Sequence, residues 1–137
     1  MLVLETDHYD ALVRHARAEY PNEACALLAG DGQVEKVYTL PNAEASPTFY
    51  VVEPKAQLKA MQEMDDRGWE LLGVFHSHTF TEAYPSKTDV ELAAYPDATY
   101  LILSLADPDA PSLRAFTIKE GEVSEVEVHV GGGDGRP

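Results

Sequence analysis

The sequence predicts an α/β fold of the α+β type, in which a mixed β-sheet is flanked by helices. Two segments, 7–21 and 54–68, carry apolar residues near the spacing of an amphipathic helix. Other segments are rich in β-branched and aromatic residues, and the continuous apolar run within 69–78 is typical of a strand buried on both faces. The two kinds of segment are mixed along the chain without a regular βαβ repeat, which favours a mixed arrangement.

The first predicted helix is followed by a hairpin and a short strand. The helix should begin with Asp7 as its N-cap and end before Pro21. Two apolar stretches then flank the turn signal Asp31-Gly32, as expected for a β-hairpin, and Glu23 opens the first of these strands. The segment 45–54 (ASPTFYVVEP) is predicted as a short strand because it is rich in aromatic and β-branched residues.

The second half of the chain is predicted to contain two helices, a central strand and a hairpin. Pro54 suits the first turn of a helix, and Gly68 suits its C-terminal end. The buried strand that follows ends in two histidines. After an irregular loop, Thr88 and Glu91 have the spacing of a capping box for a short helix. A further strand then leads to a hairpin that turns near Glu120-Gly121.

Length and composition favour a single domain. The chain has 137 residues, of which 45% are hydrophobic, so it can bury one core but is too short for two ordinary domains. We therefore expect one domain at 1–130. The last residues, GGGDGRP, have no apolar side chain that could pack, so we expect a flexible tail at 131–137.

Charge and targeting patterns exclude several classes of partner. With 24 acidic and 10 basic residues, the formal charge of −14 would repel nucleic acid and anionic membrane surfaces. The N-terminus does not resemble a signal peptide, and no apolar run approaches the roughly 20 residues that span a bilayer, so we expect a cytoplasmic protein.

The lone Cys25 excludes metal cages built from several thiolates, so any metal here needs histidine and carboxylate ligands.

The two histidines at the end of the central strand are candidate metal ligands. His76 and His78 are two residues apart, and side chains on a strand alternate, so both imidazoles should point to the same face. Such a pair can hold one metal ion. Taken alone it is a weak signal, because histidines at a strand end can also make ordinary hydrogen bonds.

A carboxylate at a fixed distance strengthens the case. Ser86 and Asp89 begin the short helix after the loop, so Asp89 could return to the metal. An acid in a first helical turn is also favoured by the helix dipole without any metal. Two histidines and one carboxylate would leave a fourth zinc position for water, which is the arrangement of catalytic rather than structural zinc. Hydrolysis would also need a carboxylate base, which spacing alone does not identify.

These residues resemble a known family. Glu23, His76-Ser77-His78, Ser86 and Asp89 match the pattern of the JAMM (MPN+) metalloproteases: a distant Glu, then HxH, seven residues and SxxD. The resemblance extends through most of the chain, and it is closest to small bacterial members. It implies the JAMM/MPN fold, a curved mixed sheet flanked by helices that resembles cytidine deaminase.

The resemblance also implies roles for the residues. His76, His78 and Asp89 would bind Zn²⁺, Glu23 would be the general base, and Ser86 would donate a hydrogen bond to the oxyanion. Family members usually have proline after the second histidine, where this chain has Thr79, which lacks the fixed φ of proline.

The implied substrate is a small ubiquitin-like sulfur-carrier protein of the ThiS/MoaD type, cleaved after its Gly-Gly tail. Two alternative functions fit the residues less well. A non-catalytic MPN-type binding module usually lacks the metal ligands, whereas this chain has the full set. A nucleoside deaminase needs an H-x-E with P-C-x-x-C, which a chain with one cysteine cannot supply. The sequence is also compatible with a homodimer.

Overall fold

The computed structural model describes residues 1–131. The elements of this part are β1 (Leu2–Leu4), α1 (Thr6–Glu19), β2 (Cys25–Gly30), β3 (Val34–Leu40), α2 (Pro54–Arg67), β4 (Glu70–His78), α3 (Lys87–Leu92), β5 (Thr99–Ser104), β6 (Ser112–Lys119), β7 (Glu122–Val126) and β8 (Val128–Val130). Six strands form one mixed sheet in the order β3-β2-β4-β5-β6-β7, and two short strands, β1 and β8, pair separately. The predicted α/β class with a mixed sheet and flanking helices is confirmed.

The central strand β4 sets the architecture of the sheet. It pairs antiparallel with β2 on one side and parallel with β5 on the other. Apolar side chains alternate between the two faces, so that Phe75 belongs to the core cluster that includes α1, and Val74 belongs to the cluster that includes α2. Because β4 is buried for most of its length, residues at its C-terminal end lie inside the protein.

The two long helices form where the sequence predicts them, with one difference in capping. Glu53 caps α2, and its carboxylate accepts hydrogen bonds from the N–H groups of Lys55 and Ala56, both at 3.0 Å. Gly68 ends this helix in the left-handed region at φ 71°, which glycine adopts without a steric penalty. The N-cap of α1 is Glu5, so Asp7 lies in the first turn of that helix rather than at its cap.

The prediction of a strand at 45–54 is wrong. This segment is part of a loop, and its single ladder contact is a bridge between Asn42 and Val52. The Asn42 side chain replaces strand pairing here, because its Oδ1 accepts hydrogen bonds from the N–H groups of Glu44 and Val51, both at 3.0 Å. Periodicity could not reveal this arrangement, since a side-chain amide satisfies backbone groups that a strand would pair.

Three smaller predictions also change. Glu23 does not open β2 but lies two residues before it, in the connection from α1. The capping box of α3 uses Ser86 and Asp89, not Thr88 and Glu91. Residues 128–130 form β8, which pairs in parallel with β1, a contact between distant segments that local patterns did not predict. Most of the predicted tail, 132–137, lies outside the described residues. No helix in the described part is long and apolar enough to cross a membrane.

Candidate metal centre

The two predicted histidine ligands lie side by side at the C-terminal end of β4. Strand alternation points both imidazoles to the same face, and their ring centroids are 4.9 Å apart. Both side chains are buried, with His76 at 1% and His78 at 3% exposure. Two buried imidazoles need polar partners, since a buried nitrogen without a hydrogen bond or a metal is costly.

Asp89 supplies a carboxylate oxygen between the two imidazoles. Its Oδ2 lies 3.1 Å from His76 Nε2 and 2.9 Å from His78 Nε2, and the two Nε2 atoms are 3.1 Å apart. The short helix α3 fixes this carboxylate through its capping box, in which the Ser86 N–H donates to Asp89 Oδ2 at 2.9 Å. The cap therefore accounts for the position of Asp89 but not for the two histidines that converge on it.

The donor set fits a transition-metal ion. The three ligand atoms lie within 4.8 Å of one another in a buried cluster. Ligands at 2.0–2.1 Å from tetrahedral zinc are about 3.3 Å apart, so outward shifts of a few tenths of an ångström would accommodate the ion. Two imidazole nitrogens and one carboxylate oxygen are also the ligand types that a zinc site with an open position uses.

The hydrogen bond of His78 prepares it to bind a metal. Its Nδ1 lies 2.8 Å from the carbonyl oxygen of Glu82, which can only accept, so Nδ1 carries the hydrogen. In the neutral ring, Nε2 then presents its lone pair to the cluster. Metal-bound histidines commonly have such a partner on the other ring nitrogen.

His76 is held in a different way. Its Nδ1 is buried and has no hydrogen-bond partner among the described residues. Instead, the ring of Tyr50 stacks on its imidazole, with centroids 4.5 Å apart and planes inclined by 22°. Tyr50 belongs to the loop between β3 and α2, which therefore forms one wall of the site.

Burial and mutual contacts shift the pKa values of the cluster. Burial lowers the pKa of His76. Burial also opposes the charged form of His78, but its hydrogen bonds with Asp89 and the Glu82 carbonyl outweigh that effect and raise its pKa. Burial would raise the pKa of Asp89, yet hydrogen bonds with both histidines hold it well below its usual range. Asp89 is thus an anion at neutral pH, as a metal ligand must be.

Glu23 is brought to the same end of the sheet by strand pairing. Cys25, two residues later, lies opposite His76 in the β2–β4 ladder. Glu23 is only 3% exposed, and its Oε1 has no hydrogen-bond partner among the described residues. Burial raises its pKa to about 8, while His78 lowers it and Asp89 raises it, so both residues of the cluster act on this carboxyl. A buried carboxyl with a perturbed pKa beside a candidate metal site is typical of a functional group.

The remaining predicted site residue, Ser86, is exposed at the N-terminus of α3. Its Oγ accepts a hydrogen bond from the Asp89 N–H at 3.1 Å. A hydroxyl can accept and donate at once, so this bond leaves the hydrogen of Ser86 able to donate. The predicted ligand set, the predicted base and Ser86 therefore lie in one region, and their roles remain predictions.

Three contacts around the site were not predicted from the sequence. The loop between β3 and α2 contributes Asn42 and Tyr50. Thr79 is 2% exposed, and its Oγ1 donates to the Pro47 carbonyl at 3.2 Å. This hydrogen bond connects the residue after β4 to the same loop. It occurs at the position where family members usually have a proline, which would have restricted the backbone. Cys25 is buried, and burial raises the pKa of its thiol to about 12.

Comparison with known proteins gives consistent matches. The family model described as prokaryotic homologs of the JAB domain matches residues 5–119. The CysO-cysteine peptidase of Mycobacterium tuberculosis is 44% identical over 133 residues, which cover 95% of this chain and 91% of that protein. A Thermus thermophilus protein named "Probable TtuB-protein conjugate cleaving protease" is 37% identical over 109 residues, 79% of this chain and 70% of its own. The desampylase of Haloferax volcanii is 32% identical over 111 residues, 75% of this chain and 80% of its own.

Solved structures agree with the observed architecture. The solution structure of a protein from Desulfitobacterium hafniense has a TM-score of 0.86 and 43% identity, and covers 95% of this chain and 92% of its own. A JAB1/MPN domain protein from Archaeoglobus fulgidus has a TM-score of 0.63 at 22% identity, with coverage of 96% and 99%. The second likeness concerns the fold alone. Together they confirm the predicted JAMM/MPN fold.

Proposed function

Because the chain belongs to the family of prokaryotic homologues of the JAB domain, we propose that it is a zinc-dependent hydrolase of peptide or isopeptide bonds. Its substrate is a small ubiquitin-like sulfur-carrier protein, cleaved at the amide bond after the Gly-Gly tail. Residues 1–130 form its single catalytic domain.

One observation carries the proposal. The ligand atoms of His76, His78 and Asp89 converge in a buried cluster, and Glu23 lies beside them with an unpartnered carboxyl oxygen. An unpartnered buried oxygen is costly in a purely structural site, whereas a base must keep one free to receive a proton. A non-catalytic binding module would have no need for this combination.

The substrate class is supported by the relatives. Their names describe a CysO-cysteine peptidase, a TtuB-protein conjugate cleaving protease and a desampylase. All three names describe cleavage, and two name the protein whose linkage is cleaved. The alignment with the mycobacterial relative spans nearly the whole of both chains, so the comparison covers the complete candidate site.

The metal would be held by His76, His78 and Asp89. Zinc, when bound, lowers the pKa of a coordinated water to about 7 and polarises the scissile carbonyl. Glu82 holds the hydrogen of His78 on Nδ1, so the ion would displace only the Nε2 hydrogen that binds Asp89. The lowered pKa of Asp89 keeps its carboxylate ionised.

Glu23 carries the proton through the reaction. The positive charge of the ion would lower the raised pKa of Glu23, so that its carboxylate is ionised and accepts a proton from the attacking water as the oxygen bonds to the carbonyl carbon. Ser86 donates a hydrogen bond to the oxyanion of the tetrahedral intermediate. The protonated Glu23 then gives the proton to the leaving nitrogen as the C–N bond breaks. The products are the carrier carboxylate and a free amine, and no covalent enzyme intermediate forms.

The proposal is tested with a recombinant ThiS/MoaD-type carrier that bears a short peptide after its Gly-Gly tail. Mass spectrometry should show cleavage after the second glycine, inhibition by a chelator and recovery with zinc. Metal analysis should give one zinc per chain, and this also distinguishes zinc from iron(II), which uses a similar donor set in oxygenases. Intact substrate with zinc-loaded, folded enzyme would contradict the proposed substrate class.

The matched variant Glu23→Gln separates the metal from the base. It should retain zinc and lose cleavage, since the amide cannot accept the proton. Cleavage at the wild-type rate would remove Glu23 from the mechanism.

A further inference from the structure

The peptide bond that follows Glu23 is held at both ends by side chains. The Glu23 carbonyl oxygen accepts a hydrogen bond from Asn42 Nδ2 at 3.0 Å. The N–H of the same peptide unit, which belongs to Ala24, donates to Ser77 Oγ at 2.8 Å. Since a peptide unit is planar, fixing its oxygen and its hydrogen fixes its orientation.

Ser77, which binds this peptide unit, lies between the two histidines in the sequence. It is fully buried and lies on the face of β4 opposite to His76 and His78. Its own N–H donates to the Ala24 carbonyl at 3.0 Å, so backbone and hydroxyl both bind Ala24. The middle residue of the histidine motif thus connects the strand that carries the candidate ligands to the segment that carries the candidate base.

Asn42 binds the carbonyl end of this peptide unit, and every hydrogen-bonding position of its side chain is occupied. Its two amide hydrogens bind the carbonyls of Glu23 and Phe49, at 3.0 and 3.1 Å. Its oxygen accepts from the N–H groups of Glu44 and Val51. An amide has two donors and two acceptor sites, so no capacity remains, and the side chain can adopt only one orientation. The Glu23 N–H is also held, by the Ser46 carbonyl at 2.8 Å.

The Glu23 side chain, in contrast, has a free oxygen. Because Oε1 has no hydrogen-bond partner among the described residues, no hydrogen bond at this atom fixes the direction of the carboxyl, and the held backbone sets where the side chain begins. We propose that Asn42 and Ser77 are positioning residues that direct the Glu23 carboxyl toward the cluster of His76, His78 and Asp89. The inference rests on the proposed function of Glu23 as the base.

This arrangement predicts a loss in catalysis without a loss of metal. A general base must lie within hydrogen-bond reach of the proton it accepts, and small displacements can cost large factors in rate. Neither Asn42 nor Ser77 has a side chain among the metal ligands. Displacing Glu23 should therefore lower kcat while KM and zinc content change little.

The test compares five variants by steady-state kinetics on the carrier with its C-terminal extension. Ser77→Ala and Asn42→Asp should each lower kcat about tenfold or more, with KM and zinc content within twofold of wild type. Asn42→Asp keeps the acceptor oxygens and removes the donors, and Asn42→Ala removes both and should lower kcat at least as much. Ser77→Thr retains the hydroxyl and should recover most of the rate. Thr48→Ala is the control in the same loop, since Thr48 is exposed and, within the described part of the chain, its hydroxyl forms a hydrogen bond only with Ser46.

Several results would overturn the inference. These are wild-type kcat in both Ser77→Ala and Asn42→Asp, a loss of kcat that matches a loss of zinc, or a Ser77→Thr variant that holds zinc but is as slow as Ser77→Ala. If Ser77→Ala does not fold, Asn42→Asp decides the question.

Crystal structures of the zinc-loaded variants give a readout that does not depend on turnover. The Glu23 carboxyl should be displaced while the three ligands stay in place. An undisplaced carboxyl in both variants would refute positioning even if the wild-type protein cleaved no carrier. An inactive wild type with displaced Glu23 in the variants would instead refute only the proposed function.

Discussion

The aromatic ring of Tyr50 stacks on the imidazole of His76, with ring centroids 4.5 Å apart. The Nδ1 of this histidine has no hydrogen-bond partner among the described residues, so stacking takes the orienting role that a hydrogen bond plays for His78. The two candidate ligands from one strand are thus held by different means. The loop between β3 and α2 is consequently part of the site, although it supplies no ligand.

This contact predicts a specific effect on metal affinity. Tyr50→Ala should weaken zinc binding by about tenfold or more, the size of effect seen when groups supporting a metal ligand are removed. Tyr50→Phe keeps the ring and should bind zinc within about twofold of wild type. Competition with a chromogenic chelator measures both affinities. Equal affinities for the alanine and phenylalanine variants would show that stacking does not orient His76.

Metal removal should destabilise the folded protein. The three side chains that would hold the metal come from β4 and α3. A metal ion that binds only the native state stabilises it by mass action, by about 2.7 kcal/mol when the free metal concentration is one hundred times the dissociation constant. A chelator should therefore lower the melting temperature of wild-type protein. Asp89→Asn retains an oxygen that can cap α3 but loses the anionic ligand, so its melting temperature should respond little to zinc or chelator. A response as large as that of wild type would exclude Asp89 as a ligand.

Ser86 combines two roles that substitution can separate. Its Oγ caps α3 by accepting from the Asp89 N–H, and an N-cap is worth about 1 kcal/mol. If its hydroxyl also stabilises the oxyanion, Ser86→Ala should lower kcat by about a hundredfold, the usual effect of removing one such donor. Ser86→Asp preserves the cap without a hydroxyl. Kinetics and thermal unfolding together should therefore show restored stability but not restored kcat in Ser86→Asp, and restored kcat would assign Ser86 to capping alone.

Local patterns predicted those parts of the fold that depend on neighbouring residues. Strand alternation placed His76 and His78 on one face, and the end signals of α2 at Pro54 and Gly68 appear where expected. Patterns failed where side chains satisfy backbone groups at a distance, as Asn42 does in the loop that resembles a strand. A single sequence contains no record of such contacts.

The candidate site shows the same division. The spacing of the two histidines indicates a shared ligand face directly, because strand alternation fixes their relative positions, whereas Asp89 joins them across an irregular loop whose path no local pattern determines. The position of Glu23 could not be derived in this way. It depends on the pairing of β2 with β4, where Cys25 lies opposite His76, and a register between strands forty or more residues apart is not encoded in local periodicity. Family resemblance identified Glu23, and strand pairing supplies the physical reason for its location.

The buried carboxyl of Glu23 predicts a pH dependence of stability in the metal-free protein. Burial raises its pKa from 4.5 to about 8, so between these values the unfolded state has released the proton and the folded state still binds it. The free energy of unfolding contributed by this group is therefore fully present below pH 4.5 and is lost as the pH rises to 8, a change on the order of 5 kcal/mol. Glu23→Gln cannot titrate, while His76, His78 and Asp89 are common to both proteins. In urea unfolding with a chelator at pH 5, 6.5 and 8, wild type should lose stability relative to Glu23→Gln at each step. A difference between the two proteins that stays constant across this range would show that Glu23 is ionised in the folded metal-free state.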